Sequence, residues 1–201
     1  MTETAFFSQQ RETYQQEFLA LRQSFERTGD GAATIRRRSL SVDNLFKSIW
    51  KQTLGKEADR AAISVVATGG YGRRHLFPYS DIDLLYIFAT DDAEREFREA
   101  VRACNQAMWD IGLRASPAIR TLKECDRVDP DNLEFLVSTL DRRFLAGDSA
   151  LYRRFQTDAL PNALLREWNA ITQKLAELAH ARHKKYSNTI FHLEPNIKEC
   201  P

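Results

Sequence analysis

Asp81 and Asp83 are two residues apart at the start of an apolar run, Ile82 to Phe88, that reads as a strand. Side chains alternate faces along a strand, so both carboxylates point the same way. Upstream, across a gap of ten residues, stand Gly69 and Gly70, closing a shorter run, Ile63-Ser64-Val65-Val66-Ala67. Paired carboxylates at the end of a buried strand suit a hard divalent cation. Mg2+ prefers oxygen ligands and is held by one or two carboxylates together with substrate phosphates. The glycines let backbone approach a triphosphate closely, with N–H groups aimed at its oxygens. A helix starting near Tyr71 would add its positive end to the same place. The plainer alternative is a surface turn carrying two solvated aspartates. The order of features (apolar strand, glycine pair, turn, acid-apolar-acid-apolar) favours a nucleotide and metal site.

That order resembles the signature of the DNA polymerase beta-like nucleotidyltransferase superfamily. More closely, GGYGR at 69–73 and LFPYSDIDLL at 76–85 resemble the bacterial protein-PII uridylyltransferase/uridylyl-removing enzymes. That family usually reads GGYGRGEL, whereas Arg74-His75 stands here in place of Gly-Glu. Three weaker blocks extend the resemblance. Residues 109–125 resemble the family's WD-x-GLEVGHSVRTLEEC, residues 140–148 its LLE-x-RLLAGD, and residues 193–199 its LEPNIKEGPGGLRD. Cys200 falls where the family has glycine, and the chain stops at Pro201, which reads as a truncation boundary.

The resemblance implies Mg2+-dependent transfer of UMP from UTP to a tyrosine of a PII-type signal protein, with release of pyrophosphate. It implies that Asp81 and Asp83 hold Mg2+, that Gly69 and Gly70 bind the triphosphate, and that Arg73 offsets its charge. Ser80 binds a phosphate oxygen or holds the turn before the strand. The alternatives are a nucleotidyltransferase using another nucleotide or acceptor, and a non-catalytic nucleotide-binding remnant. Many superfamily members carry a third acid on the next strand, but LRASPAIRT, residues 113–121, has none, with Ser116 near its expected place. The third ligand is therefore unassigned. Family members continue into HD-type phosphohydrolase and ACT domains, so uridylyl removal and glutamine sensing are not expected of these residues.

The expected fold is α/β, a small mixed sheet flanked by helices. A helical lead spans residues 1–55, the nucleotidyltransferase core 56–128, and a helical annex 129–201. Apolar spacing predicts a helix over 6–27, ended by Gly29-Asp30-Gly31. Ser41 reads as the cap of a helix reaching Leu54 with Leu45, Ile49 and Trp50 inside. Arg36, Arg37 and Arg38 read as a solvated face, with phosphate contact as the rival. Asp91-Asp92 opens a helix that buries Phe97, Val101, Met108 and Trp109. Pro117 marks the following strand as an edge or a bulge. Asp129-Pro130-Asp131 opens another helix, and the 141–148 block is expected to follow the sheet. There Arg142 or Arg143 contacts triphosphate or pairs with Asp141. A last helix covers 163–187, with His180 and His183 on a solvated basic face.

Composition narrows the partners. Lys and Arg total 29 against 28 Asp and Glu, so no net field recruits nucleic acid or a membrane surface. No apolar run approaches a membrane span, and the N-terminus lacks the pattern of a secretion signal. Three scattered cysteines without metal-ligand spacing fit a reduced, cytoplasmic protein.

Overall fold

The computed structural model describes residues 3–55, 62–127 and 133–185. The helix start expected at 129–131, the 193–199 block and Cys200 lie outside the described residues. Two long helices come first, α1 (Glu3–Thr28) and α2 (Gly31–Leu54). Gly29, at φ 67°, ends α1 by donating its N–H to Phe25 O at 2.8 Å. Asp30 then starts α2, its Oδ1 accepting from Ala33 N at 2.8 Å. Ser41 is therefore not a cap. It lies ten residues into α2, where its hydroxyl donates to Glu17 and ties the two helices together.

The sheet has four strands in the order β3-β2-β1-β4. Strand β1 (Ile63–Ala67) pairs antiparallel with β2 (Ile82–Phe88). Between them sits α3 (Gly69–Gly72), a single turn. The helix expected near Tyr71 thus begins at Gly69 and is too short to build a macrodipole. After β2, Thr90 caps α4 (Asp91–Ile111), whose first turn carries Asp91, Asp92 and Glu94. Gly112, at φ 100°, stops it. This crossover returns β3 (Ala115–Thr121) parallel to β2, as a parallel pair requires. β3 is an edge strand, which is where Pro117 is tolerated. Trp109 is not buried with its neighbours. It is 52% exposed, and its indole N–H reaches Ala115 O at 3.2 Å.

A capped turn, α5 (Leu122–Cys125), and α6 (Leu133–Leu140) follow. The 141–148 block does not trail the sheet. Its residues Arg143–Gly147 form β4, antiparallel to β1 on the side opposite β2. Gly147 allows that approach, because a Cβ there would collide with Ile63 O and its φ is 88°. Helix α7 (Ser149–Arg154), a π turn over Phe155–Ala159 and α8 (Leu160–Lys185) complete the described chain. Among the described residues no helix is long and apolar enough to cross a membrane.

Both faces of the sheet are covered, which is why β1 and β2 read as continuous apolar runs instead of alternating ones. On one face Val65, Leu84, Tyr86 and Phe88 pack against Phe46 and Trp50 of α2 and Met108 of α4. On the other, Val66, Leu85 and Ile87 meet Leu136 of α6, Leu151 of α7 and Phe155. Tyr86 is fully buried and donates to Asn105 Oδ1 at 3.2 Å. Burial first, then the Cys104 sulfur, pushes its phenol well above the ordinary tyrosine value. Burial does the same to Tyr71, with Asp43 adding to it. Phenols that stay protonated in the fold but ionise in the open chain stabilise only below the unfolded value. Stability is therefore expected to fall as pH rises past about 10. Urea midpoints at pH 8 and 10.5 check this, and equal midpoints would refute it.

Candidate active site

Backbone geometry brings the glycine turn against the second aspartate. Thr68 leaves β1 extended and donates its N–H to Asp83 O at 3.1 Å. Gly69 then turns at φ 57°, and a Cβ on it would stand 3.2 Å from Asp83 Oδ2. The left-handed backbone favours glycine here, and any side chain would also push on the Asp83 carboxylate. Gly70 and Tyr71 continue the turn. Being at the start of a helical turn, the N–H groups of Gly69 and Gly70 have no carbonyl one turn back to receive them. Gly72 is packed on main chain, where a Cβ would meet Ala67 O at 2.9 Å and Asp141 O closer still.

A buried ionic network fixes the turn from behind. Tyr71, 1% exposed, donates its hydroxyl to Asp43 Oδ1 at 2.6 Å. Arg143 of β4 grips the same carboxylate at 2.7 and 3.0 Å, donates to Tyr71 O at 3.3 Å and lies over the Tyr71 ring at 5.3 Å. Arg142 donates to Thr139 O and Leu140 O at the end of α6. Neither arginine is thus presented to a ligand by this arrangement. Asp141 pairs with Arg73 instead of with either of them.

The loop from Arg73 to Asp81 is held by α2. Arg38 of α2 is buried and donates to Phe77 O at 2.6 Å, while Ser39 Oγ accepts from Leu76 N at 3.3 Å. Of the three arginines read as a solvated face, Arg36 and Arg37 are exposed and Arg38 is structural. Ser80 N donates to Phe77 O at 3.2 Å, closing a turn with Pro78 second and Tyr79 third at φ 66°. Arg74 also has positive φ, 63°. An L-residue there costs roughly 1–2 kcal/mol, partly offset in glycine by the greater freedom of its unfolded chain. Arg74→Gly is accordingly expected to raise stability by up to about 1 kcal/mol, or ~2–4 °C in melting temperature. A fall in melting temperature would count against this account of the turn.

Asp81 is exposed, with Arg114 Nε at 3.0 Å from its Oδ1. Asp83 is half-buried and opens onto a cavity of about 310 Å³ between the β2–β3 edge and α6. Thr68, Ser116, Glu134 and Ser138 also line it. Ser116 is the register partner of Asp83, so the place a third acid would occupy on β3 holds a hydroxyl. Among the described residues no group of three or more His, Cys, Asp or Glu side chains is placed to hold a metal. The donor set fits a hard cation that takes its remaining oxygens from a bound phosphate chain. His180 and His183 lie far along exposed α8, and His180 Nδ1 contacts Ala176 O at 2.8 Å.

Asp43, Arg114 and Glu134 belong to this region without having been singled out in the sequence. Arg114 and Asp81 are 33 positions apart, and Asp43 and Arg143 are 100 apart. No local pattern announces either pairing.

No protein-family model matches the chain. Similarity to curated proteins is extensive. The bifunctional uridylyltransferase/uridylyl-removing enzyme of Pseudomonas putida strain W619 is 38% identical over 168 residues, 83% of this chain and 18% of its own. The protein of the same name from Nitrosospira multiformis is 33% identical over 199 residues, 94% of this chain and 22% of its own. That from Pseudomonas entomophila is 38% identical over 170 residues, again 83% and 18%. The chain therefore spans about one fifth of the length of these relatives. With such identity running through nearly all of its residues, the chain belongs to the family of bifunctional uridylyltransferase/uridylyl-removing enzymes.

Proposed function

We propose that this chain carries the nucleotidyl-transfer site of its family, moving UMP from UTP to a tyrosine hydroxyl of a PII-type signal protein and releasing pyrophosphate. The observation that carries the reading is the placement of Gly69 against the Asp83 side chain, where a Cβ on the glycine would stand 3.2 Å from Oδ2, with Asp83 lining a cavity of about 310 Å³. A phosphate chain seated on the glycine turn would lie directly beside that carboxylate. The relatives' name supplies the uridylyl group and the transfer.

In this reading Asp81 and Asp83 hold Mg2+. When bound, that ion neutralises charge on the triphosphate and on the departing pyrophosphate. The N–H groups of Gly69 and Gly70 receive phosphate oxygens, and the network behind Tyr71 keeps them in place before substrate arrives. Preorganised donors of this kind need no rearrangement as charge develops. Arg73 exchanges Asp141 for the triphosphate. Ser80 holds the turn that delivers Asp81. Positioning and charge account for most of a phosphoryl-type transfer, which suits transfer to a hydroxyl that the acceptor supplies.

Titration of UTP, ATP, CTP and GTP in the presence of Mg2+ tests the reading. Mg2+-dependent preference for UTP supports it, and transfer to a PII protein would complete it. Preference for another nucleotide would replace the substrate while keeping the chemistry. A second reading, nucleotide binding without transfer, draws on Ser116 opposite Asp83 and on Arg114 at Asp81. Tight UTP binding with no transfer to any acceptor would select it.

A further inference from the structure

Arg114 stands at the threshold of β3, and its main chain and side chain serve the same short segment. Its carbonyl accepts from Ile82 N at 2.8 Å, fixing the entry to β2. Its Nε lies 3.0 Å from Asp81 Oδ1, and its Nη2 donates to Tyr79 O. One guanidinium thus bridges the peak of the 77–80 turn and the outer carboxylate of the pair. Both side chains are more than half exposed, at 57% and 56%, so the contact is open to solvent and reversible. Tyr79 itself is 82% exposed, at a φ that a tyrosine adopts only when held there. The donation from Arg114 Nη2 to Tyr79 O ties down that residue from outside the turn.

We propose that Arg114 is a resident cation for Asp81, which a divalent metal must displace before it can use both carboxylates. The inference rests on the reading of Asp81 and Asp83 as the metal-holding pair. A guanidinium stays charged at any working pH, so it competes with the metal throughout. Arg114 is a positioning residue in this account. It keeps Asp81 oriented while the site is empty and sets how much metal is needed to fill it. Displacement also removes the tie to Tyr79 O, so metal arrival loosens the turn that precedes Asp81.

Mn2+ binding to the protein without nucleotide, read by electron paramagnetic resonance, tests this in wild type and four variants. Asp83→Asn is expected to lose binding, which checks the underlying pair. Arg114→Gln is expected to tighten binding about two- to fivefold, the range that an exposed ion pair can exert. Arg114→Lys keeps the charge and should stay near wild type. Arg120→Gln removes a cation from the same strand, whose guanidinium lies 5.1 Å from the Phe135 ring, and is expected to change nothing. Loss in Asp83→Asn with no tightening in Arg114→Gln would overturn the competition and leave the metal pair standing. Equal tightening in Arg114→Gln and Arg120→Gln would reduce the effect to general charge and overturn it too. Binding that survives Asp83→Asn would sink the metal pair, and this inference with it.

Discussion

Asp43→Ala is expected to cost about 3–5 kcal/mol of folding stability, the range for removing one partner of a buried ion pair. Asp43 is 4% exposed and receives three donors, one from the Tyr71 hydroxyl and two from the Arg143 guanidinium. Alanine would leave a permanent positive charge and a phenol without an acceptor. The Arg143 side chain is only 18% exposed, so water repairs little of the loss. Against a typical total of about 5–15 kcal/mol, such a change brings the domain close to unfolding. Asp43→Asn retains a carbonyl oxygen for Tyr71 and should lose less. The urea midpoint measures both. A loss below about 1 kcal/mol for alanine would mean that Arg143 relaxes into solvent, and that the network is ornamental to the fold. Because Tyr71 belongs to the glycine turn, nucleotide affinity should decline in these variants even where they remain folded.

Asp83→Asn should reduce nucleotidyl transfer by about 10³-fold or more, roughly 4 kcal/mol of barrier, with little change in melting temperature. The amide is nearly isosteric, so the Gly69 backbone still fits beside it and the strand register is untouched. What disappears is the negative charge that a hard cation requires. Asp81→Asn should fall in the same direction by a smaller factor, since Asp81 is more exposed and already shared with Arg114. Single-turnover transfer with saturating UTP and Mg2+ separates the two. Undiminished turnover in Asp83→Asn would place the chemistry elsewhere. A loss in melting temperature matching the loss in activity would recast Asp83 as a structural residue.

Much of the sheet was readable because its signals are local. The runs 63–67 and 82–88 are apolar but for Ser64 and Asp83, lie next to the glycine pair and the acids, and both become strands with those limits. Pro117 announced an edge for the same reason, a missing donor that a central strand cannot spare. Residues 143–147 read as part of the helical annex, because five residues between Arg142 and a helix resemble a helical continuation. Only pairing with β1, more than seventy residues earlier, makes them extended. Ser41 looked like a cap because its residue type suits one, yet Asp30 is the residue whose oxygen meets an open N–H. Within the site, the glycines and aspartates stood out through spacing. Asp43 and Arg114 did not, since their meaning comes from partners on other elements. Trp109 followed helical periodicity, but its polar N–H found Ala115 O near the surface.

The late arrival of β4 has a consequence for how the chain matures. Strand β1 sits between β2 and β4, so until residue 147 has emerged one side of it carries unsatisfied main-chain groups. The sequence Ile-Ser-Val-Val-Ala is short, rich in branched side chains and without charge, which is the composition that recruits foreign strands. During synthesis the half-built sheet is therefore a sticky template whose proper mate comes last. Arg143, at the head of β4, carries the charge that locks onto Asp43 as that mate docks. The same strand thus both covers the open edge of β1 and supplies the arginine that fastens the glycine turn through Asp43 and Tyr71.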